Sequence, residues 1–292
     1  MNIFSGLESI VKKDCSLAEY TWYRLGGPAD WLISPTSTEQ LQTVLKRCCE
    51  NDLPVWILGN GSNLLVGDKG VRGAVVKLGG EAFSKYEFKE TTLTAGAATD
   101  LQKLVQESVK KGLGGLESLA GIPGTAGGAV KMNAGGRFGD IGTSIQSVSV
   151  MDKQGTIFEK TKPELIFDYR QVNITAQVIL GATMHLTEDD PEELLKTVKE
   201  VWIYKKNTQP LDTRNAGCIF KNPRGMSAGA LIDRAGLKNE KIGGAVVSEK
   251  HANFIVTEKG CKSADVKALI EKIQRKVKDQ FDVDLELEIE IW

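Results

Sequence analysis

No uncharged apolar run in the 292 residues reaches the ~18 positions that a membrane-spanning helix needs. The opening stretch MNIFSGLESIVKKDC also lacks the continuous apolar segment of a secretory signal. Both absences point to a cytoplasmic chain with no membrane partner. Net charge is nearly absent: 37 Lys plus Arg against 38 Asp plus Glu leaves −1, which argues against nucleic acid as a partner and against a polybasic anchor. The five cysteines are odd in number and include no Cys-x-x-Cys pair, so neither a zinc site nor a dithiol redox motif is expected, and a reducing compartment fits. No metal is expected. Histidine is scarce, only His185 and His251, and there is no internal repeat, heptad array or low-complexity tract. Glycine is what abounds. The 31 glycines make about 11% of the chain against a typical ~7%, and 11 of them fall between Gly112 and Gly142.

At about 150 residues per domain, the length suits two or three domains. Residues 29–59 read as strand, helix, strand. Thr36 and Glu39 suggest a capping box ahead of Leu41, Val44, Leu45, Cys48 and Cys49 at helical spacing, which makes both cysteines core candidates. Thr99 and Gln102 suggest a second cap, before the stripe Leu101, Leu104, Val105 and Val109. Ile145–Met151 and Thr156–Glu159 flank a turn at 152–155 and read as a hairpin, with a further strand over Gln177–Leu186. Pro191 opens a helix, and 205–215 reads as a polar linker. A helix near Ala230–Ala235, a strand at Phe254–Val256 and a helix striped by Val266, Leu269, Ile270, Ile273 and Val277 follow. The end alternates as a strand: Val283, Leu285, Leu287, Ile289 and Ile291 on one side, Asp282, Asp284, Glu286, Glu288 and Glu290 on the other.

The stretch LGGLESLAGIPGTAGGAVKMNAGG interleaves glycine with Leu, Ile, Val and Met, so it is not a solvated Gly/Ser linker. Gly121, Gly124, Gly127 and Gly128 either make tight turns in a packed core or present backbone N–H groups at a helix start to phosphate oxygens. No Gly-Lys-Ser/Thr follows, and no Gly-x-Gly-x-x-Gly stands between strand and helix. A second small-residue turn, Gly59-Asn60-Gly61-Ser62-Asn63, follows the strand at 55–58. Two such loops together favour a large phosphorylated cofactor.

The segments TWYRLGGPAD (21–30), ILGNGSNLLV (57–66), GLESLAGIPGTAGGAVKMNAGG (115–136), FDYR (167–170), QPLDTRNAGCIFKNP (209–223), AGALIDRAGLK (228–238), GGAVVSEKHANFIV (243–256) and LELEI (285–289) resemble, in order, the UDP-N-acetylenolpyruvoylglucosamine reductase (MurB) family. The resemblance implies an α+β fold, with a two-part FAD-binding region of the PCMH flavoprotein type (1–70 and 71–204) and a C-terminal α/β substrate-binding domain (205–292). It implies non-covalent FAD, NADPH as reductant, and reduction of UDP-N-acetylglucosamine enolpyruvate to UDP-N-acetylmuramate in peptidoglycan precursor synthesis. The family's tyrosine-bearing insertion is not evident, so the chain is similar to the shorter class. A monomer is expected.

By the same resemblance, Arg170 holds the enolpyruvyl carboxylate, Glu288 helps to stabilise the enediol-like intermediate, and Cys218 stands where the family usually places a serine that protonates C2. A thiol can do this work, since its reference pKa of about 8.5 makes it a better acid than an alcohol. Taken alone, each residue has a plainer reading: a surface arginine, one of five solvated acids, a buried small side chain. Tyr169, Lys221 and Asn222 are implied substrate contacts. Arg24, Gly59, Asn60, Gly61, Ser62, Asn63, Gly121, Gly124, Thr125, Gly127, Gly128 and Asn133 are implied cofactor contacts. His251 matches the family without an assigned chemistry, and a structural hydrogen-bonding role suits it. Two alternatives stay open: an FAD-linked sugar or alcohol oxidase on the same cofactor fold, and a non-catalytic UDP-sugar or nucleotide sensor. Many such oxidases attach flavin through histidine, and neither histidine here lies in a glycine loop.

Overall fold

The computed structural model describes residues 3–292, so Met1 and Asn2, at the head of the expected 1–70 segment, lie outside the described residues. The chain forms two compact units. The first holds the N-terminal segment to Cys15, Asp30–Asn60 and Arg72–Ile203, and the second holds Ser16–Ala29, Gly61–Val71 and Tyr204–Trp292.

In the first unit, one sheet runs in the order Val11–Ser16, Pro28–Ile33, Val71–Val76, Val55–Ile57, the last two strands parallel with Val55 opposite Ala74 and Ile57 opposite Val76. Helix α1 (Thr38–Glu50) covers it with Leu41, Val44, Leu45 and Cys48. Its N-cap is Ser37, whose side chain accepts from the Gln40 N–H, while the Thr36 N–H donates to Gln40 Oε1. The cap thus falls one residue after the position expected from sequence. Cys49 is exposed rather than core, because one residue turns ~100° around a helix axis away from buried Cys48.

The second sheet of this unit is antiparallel throughout, in the order Ile157–Thr161, Ile145–Met151, Val178–His185, Thr92–Gly96, Tyr86–Lys89. The hairpin turn is closed by Asp152, whose Oδ1 accepts from the N–H groups of Gln154 and Thr156. A short helix α2 (Glu81–Ser84) precedes this sheet. Helix α3 (Leu101–Lys110) and helix α4 (Ala126–Lys131) pack on it through Leu101, Leu104, Val105, Ala126, Ala129 and Val130. The α3 cap is Asp100, accepting from the Lys103 N–H at 2.9 Å, and not Thr99. Helix α5 (Pro191–Thr208) begins at the expected proline but continues over the first four residues read as linker. Lys205 and Lys206 suit the negative end of the helix dipole, and no breaker occurs before Pro210.

The second unit gathers helix α6 (Ala228–Arg234), helix α7 (Ser263–Phe281) and an antiparallel sheet of Lys241–Ile242, Ala245–Val247 and Ile255–Thr257. Tyr23 and Leu65 belong to the same core as Ile219, Phe220, Ile232 and the α7 stripe, which is why segments 16–29 and 61–71 group with the C-terminal residues. Asp68 fastens the start of α7, accepting from the N–H groups of Ser263 and Ala264, and the Ser263 hydroxyl donates to the Val66 carbonyl. The terminal alternation holds as burial but not as a full strand. Leu285 and Ile289 are buried, yet ladder pairing is confined to Glu290–Ile291, parallel to Leu64–Leu65, and to an isolated bridge between Phe220 and Leu287. An apolar period of two makes a segment extended; it does not supply a neighbouring strand along its whole length. The fold is α+β.

Candidate active site

The two glycine loops meet within the first unit at one point: a Cβ built on Gly59 would lie 3.2 Å from Thr125 Oγ1. Asn60 follows Gly59, half-buried. The rest of the 115–128 stretch is fastened inward. Gln102 accepts from the Gly121 N–H and donates to the Leu119 and Ile122 carbonyls, and the Gly124 carbonyl accepts from the Leu101 N–H. At the α4 start, the N–H groups of Ala126 and Gly127 donate to the Thr99 and Ala97 carbonyls, and that of Gly128 to Thr125 Oγ1. These amides already have partners in the protein, as in the tight-turn alternative of the two read from the sequence. Gly127 is required by packing, since a Cβ there would come within 2.7 Å of the Ala97 Cβ.

Sequence reasoning passed over Lys77. Its half-buried ammonium donates to the Gly59 carbonyl at 3.3 Å, and burial lowers its pKa from the ordinary lysine value. A desolvated cation beside the meeting point of two small-residue loops suits a diphosphate, so the residues present fit FAD by the chemistry of their donors. The signal in sequence was a lysine directly after the apolar run Ala74-Val75-Val76, on the strand parallel to the one that feeds Gly59.

Arg170 and Tyr169 form the tip of a two-residue hairpin between Phe167–Asp168 and Gln171–Val172. Arg170, the second central residue of the turn, takes the left-handed conformation, φ +58°, as a type II turn has at that position, and the Arg170 guanidinium lies 5.2 Å from the Tyr169 ring centroid. The hairpin is propped from below by Asn133. The Asn133 amide donates to the Asp168 carbonyl at 3.0 Å, and its Oδ1 accepts from the Gly142 N–H at 3.1 Å. Asn133 is buried and itself left-handed, φ +40°. Both ends of its side chain therefore hold protein backbone, one of them in the strand that leads into Arg170.

In the second unit, Gly61 is wedged against the segment at 20–22: its φ is +63°, a Cβ would lie 2.1 Å from the Tyr20 carbonyl oxygen, and its own carbonyl accepts from the Trp22 N–H. Arg24, exposed at φ +57°, donates to the Glu19 carbonyl. Ser62 and Asn63 are half-buried. Asn63 reaches the chain's end: its side-chain amide donates to the Glu288 carbonyl at 3.0 Å, and its own carbonyl accepts from the Glu290 N–H at 3.0 Å.

Cys218 and Glu288 come from adjacent extended segments. The Glu288 N–H donates to the Ile219 carbonyl at 2.8 Å, and the Lys221 N–H to the Glu286 carbonyl at 2.9 Å. Of the five acids in the terminal alternation, Glu288 alone is half-buried; Asp282, Asp284, Glu286 and Glu290 are exposed. The other side of the 218–221 segment is held by buried Asn253. Its backbone carbonyl accepts from the Ile219 N–H, its Oδ1 accepts from the Phe220 N–H at 3.0 Å, and its amide donates to the Phe220 carbonyl at 2.7 Å. His251 completes the clamp, with Nδ1 accepting from the Asn253 N–H at 3.2 Å and the ring set edge-on to Phe254. Burial, and secondarily the charge of Lys238, push its pKa below the ordinary imidazole value. Asn253 was not singled out from sequence, because nothing in HANF announces a partner 33 positions upstream. Lys221 lies 3.6 Å from a Glu286 carboxylate oxygen, and exposed Asn222 accepts from the Ala228 N–H at the start of α6.

Arg170, Tyr169, Asn133, Gly59, Lys77 and Thr125 thus belong to the first unit, and Asn63, Cys218, Lys221, Asn222 and Glu288 to the second. Among the described residues, no group of three or more His, Cys, Asp or Glu is arranged to hold a metal ion, and no helix is long and apolar enough to cross a membrane.

Comparison with known proteins bears on what this arrangement does. Residues 29–161 match the model of an FAD binding domain, and residues 209–292 that of the C-terminal domain of UDP-N-acetylenolpyruvoylglucosamine reductase. A UDP-N-acetylenolpyruvoylglucosamine reductase of Moorella thermoacetica is 43% identical over 289 residues, 99% of this chain and 95% of that protein. The crystal structure of the Thermus caldophilus UDP-N-acetylenolpyruvylglucosamine reductase (MurB) superposes with a TM-score of 0.85 at 40% identity, over 97% of this chain and 98% of that one. At 14% identity, Physcomitrella patens BBE-like 1 shares the fold, with a TM-score of 0.59 over 96% of this chain and 89% of its own. The FAD-binding part has the PCMH-type fold, and the chain belongs to the UDP-N-acetylenolpyruvoylglucosamine reductase (MurB) family of FAD-containing oxidoreductases.

Proposed function

We propose that this chain, acting as a cytoplasmic monomer, uses NADPH to reduce the enolpyruvyl ether of UDP-N-acetylglucosamine to UDP-N-acetylmuramate, with Arg170, Glu288 and Cys218 as the catalytic residues. The observation that carries the reading is the register of 218–221 on 286–288, in which a thiol and the one sheltered acid of the chain's end come from neighbouring extended segments.

Gly59, Asn60, Gly61, Ser62, Thr125 and Lys77 are the residues proposed to hold FAD, with the Lys77 ammonium as counter-charge to its diphosphate. When bound, FAD would supply the hydride chemistry that links NADPH to C3 of the enolpyruvyl group. Addition of hydride at C3 leaves negative charge at C2 that spreads into the carboxylate. Arg170 meets that charge with a planar two-pronged grip on both carboxylate oxygens, which the ammonium of a lysine cannot copy. Glu288 is proposed to assist as a carboxylic acid that donates a hydrogen bond to that charge. Cys218 gives its proton to C2, completing the lactyl ether. Tyr169, Lys221 and Asn222 are proposed substrate contacts, Lys221 as a point charge for the UDP diphosphate.

The test is anaerobic. NADPH should bleach the yellow protein, and only the enolpyruvyl UDP-sugar should restore the colour. Rapid recovery in air without that sugar would instead favour the oxidase reading.

A further inference from the structure

We infer that Asn63 is a positioning residue for Glu288: it fixes the acid-bearing end of the chain against the second glycine turn by bonding to the backbone of Glu288 itself. The inference rests on the proposed catalytic role of Glu288.

Three observations within the second unit carry it. The Asn63 amide donates to the Glu288 carbonyl at 3.0 Å, across a separation of 225 residues. The Asn63 carbonyl accepts from the Glu290 N–H at 3.0 Å, so one residue grips the segment on both sides of Ile289. Directly after it, Leu64–Leu65 pairs in parallel with Glu290–Ile291, opposite in register. The Glu288 N–H is meanwhile held by the Ile219 carbonyl, one residue from Cys218. The backbone of Glu288 is therefore bonded on its N–H side by the segment of the proton donor and on its C=O side by Asn63. Between those two bonds the Cα–Cβ vector of the acid has little freedom.

The place of Glu288 in the terminal segment shows why such a hold matters. The acid lies between the isolated bridge at Leu287 and the ladder that resumes at Glu290. At that break in the pairing the Asn63 side chain ties the Glu288 carbonyl to the glycine turn. Misplacement of a reacting group by about 1 Å can cost on the order of 10²-fold in rate.

The experiment separates the two halves of the reaction by stopped flow, using flavin-loaded protein. If Asn63 positions Glu288 instead of making the cofactor contact that the resemblance implies, Asn63→Ala should leave FAD content and flavin bleaching by NADPH near wild type, while reoxidation by the enolpyruvyl UDP-sugar slows about 10–100-fold. Asn63→Asp keeps the shape but turns a donor into an acceptor facing a carbonyl, and should show the same split, which covers the case in which the alanine variant does not fold. Coupling to the acid is read from Glu288→Ala and the double variant: if Asn63 acts through Glu288, the double variant reoxidises no more slowly than Glu288→Ala alone. Equal slowing of both halves, or loss of FAD in step with activity, would make Asn63 a flavin or stability residue and overturn the inference. So would a double variant whose defect is the product of the two single defects. Wild-type reoxidation in Glu288→Ala would instead remove the catalytic reading of Glu288, a failure visible in that single variant whatever Asn63 does.

Discussion

Cys218 sits, half-buried, on a segment whose following residues are clamped by Asn253 on one side and by the terminal segment on the other, so its position is set by backbone bonds and not by the identity of its side chain. Exchange to serine should therefore be tolerated geometrically and return a hydroxyl donor. Cys218→Ala should slow flavin reoxidation by the enolpyruvyl UDP-sugar by about 10²–10⁴, the usual worth of general acid catalysis, while Cys218→Ser keeps substantial turnover and both keep the NADPH half. Reoxidation of Cys218→Ala at the wild-type rate would leave Cys218 a packing residue. Gly127 makes the opposite case, a residue that owes its identity to packing. A valine there must displace the Ala97 side chain and backbone, so the variant should lose stability by about 1–3 kcal/mol in the flavin-free protein, seen as a lower urea midpoint before any cofactor is added. At this scale the sequence revealed residue types but not their partners. The side chains of Asn133 and Asn63 find theirs 35 and 225 positions away, and no local pattern carries that information.

Elements were more legible where one physical rule acts alone. Apart from Cys49, the apolar stripes of α1, α3 and α7 faced the core as their spacing required, because burial of one helix face depends on period. Caps shifted by one residue, since Thr36 and Ser37, or Thr99 and Asp100, are competing oxygen acceptors, and the angle at which the chain enters the helix decides between them. The clamp at 251–254 yields a prediction in pH. His251 must be neutral at Nδ1 to accept from the Asn253 N–H, and burial lowers its pKa in the folded state. The unfolded chain then binds the proton more readily, so this contribution to stability is complete above about pH 6.5, the ordinary imidazole value, and is lost as pH falls toward the lowered folded value. Thermal midpoints measured from pH 8 downward should drop on the acid side of that window in the wild type. In His251→Gln the same stretch should be flatter, with a lower midpoint at pH 8; an unchanged slope would show that His251 does not titrate with folding.

For the whole molecule, the fold class and the order of motifs could be read from sequence because they are spread over nearly the entire chain, whereas the grouping of residues 16–29 and 61–71 with the C-terminal core could not, since it depends on where Tyr23 and Leu65 are buried. Cofactor binding acts on the same scale. A ligand that binds only the folded state adds RT ln(1 + [L]/Kd), about 4 kcal/mol at a thousandfold excess over Kd, and for a unit of 150–250 residues each kcal/mol moves the midpoint by roughly 2–4 °C. Excess FAD should therefore raise the thermal midpoint of flavin-free protein by roughly 8–16 °C. Riboflavin, which lacks the diphosphate, should raise it far less. The difference should run through Lys77, whose half-buried ammonium lies beside the Gly59 carbonyl and is held below its ordinary pKa by burial. Lys77→Met removes a charge that burial disfavours, so the flavin-free variant should be at least as stable as wild type. Its gain from FAD should shrink by about 1.5–3 kcal/mol, the worth of a hydrogen bond to a charged group, and its response to riboflavin should not change. Equal shifts with FAD and riboflavin in the wild type, or a Lys77→Met variant that gains as much from FAD as wild type does, would remove Lys77 from the cofactor's diphosphate.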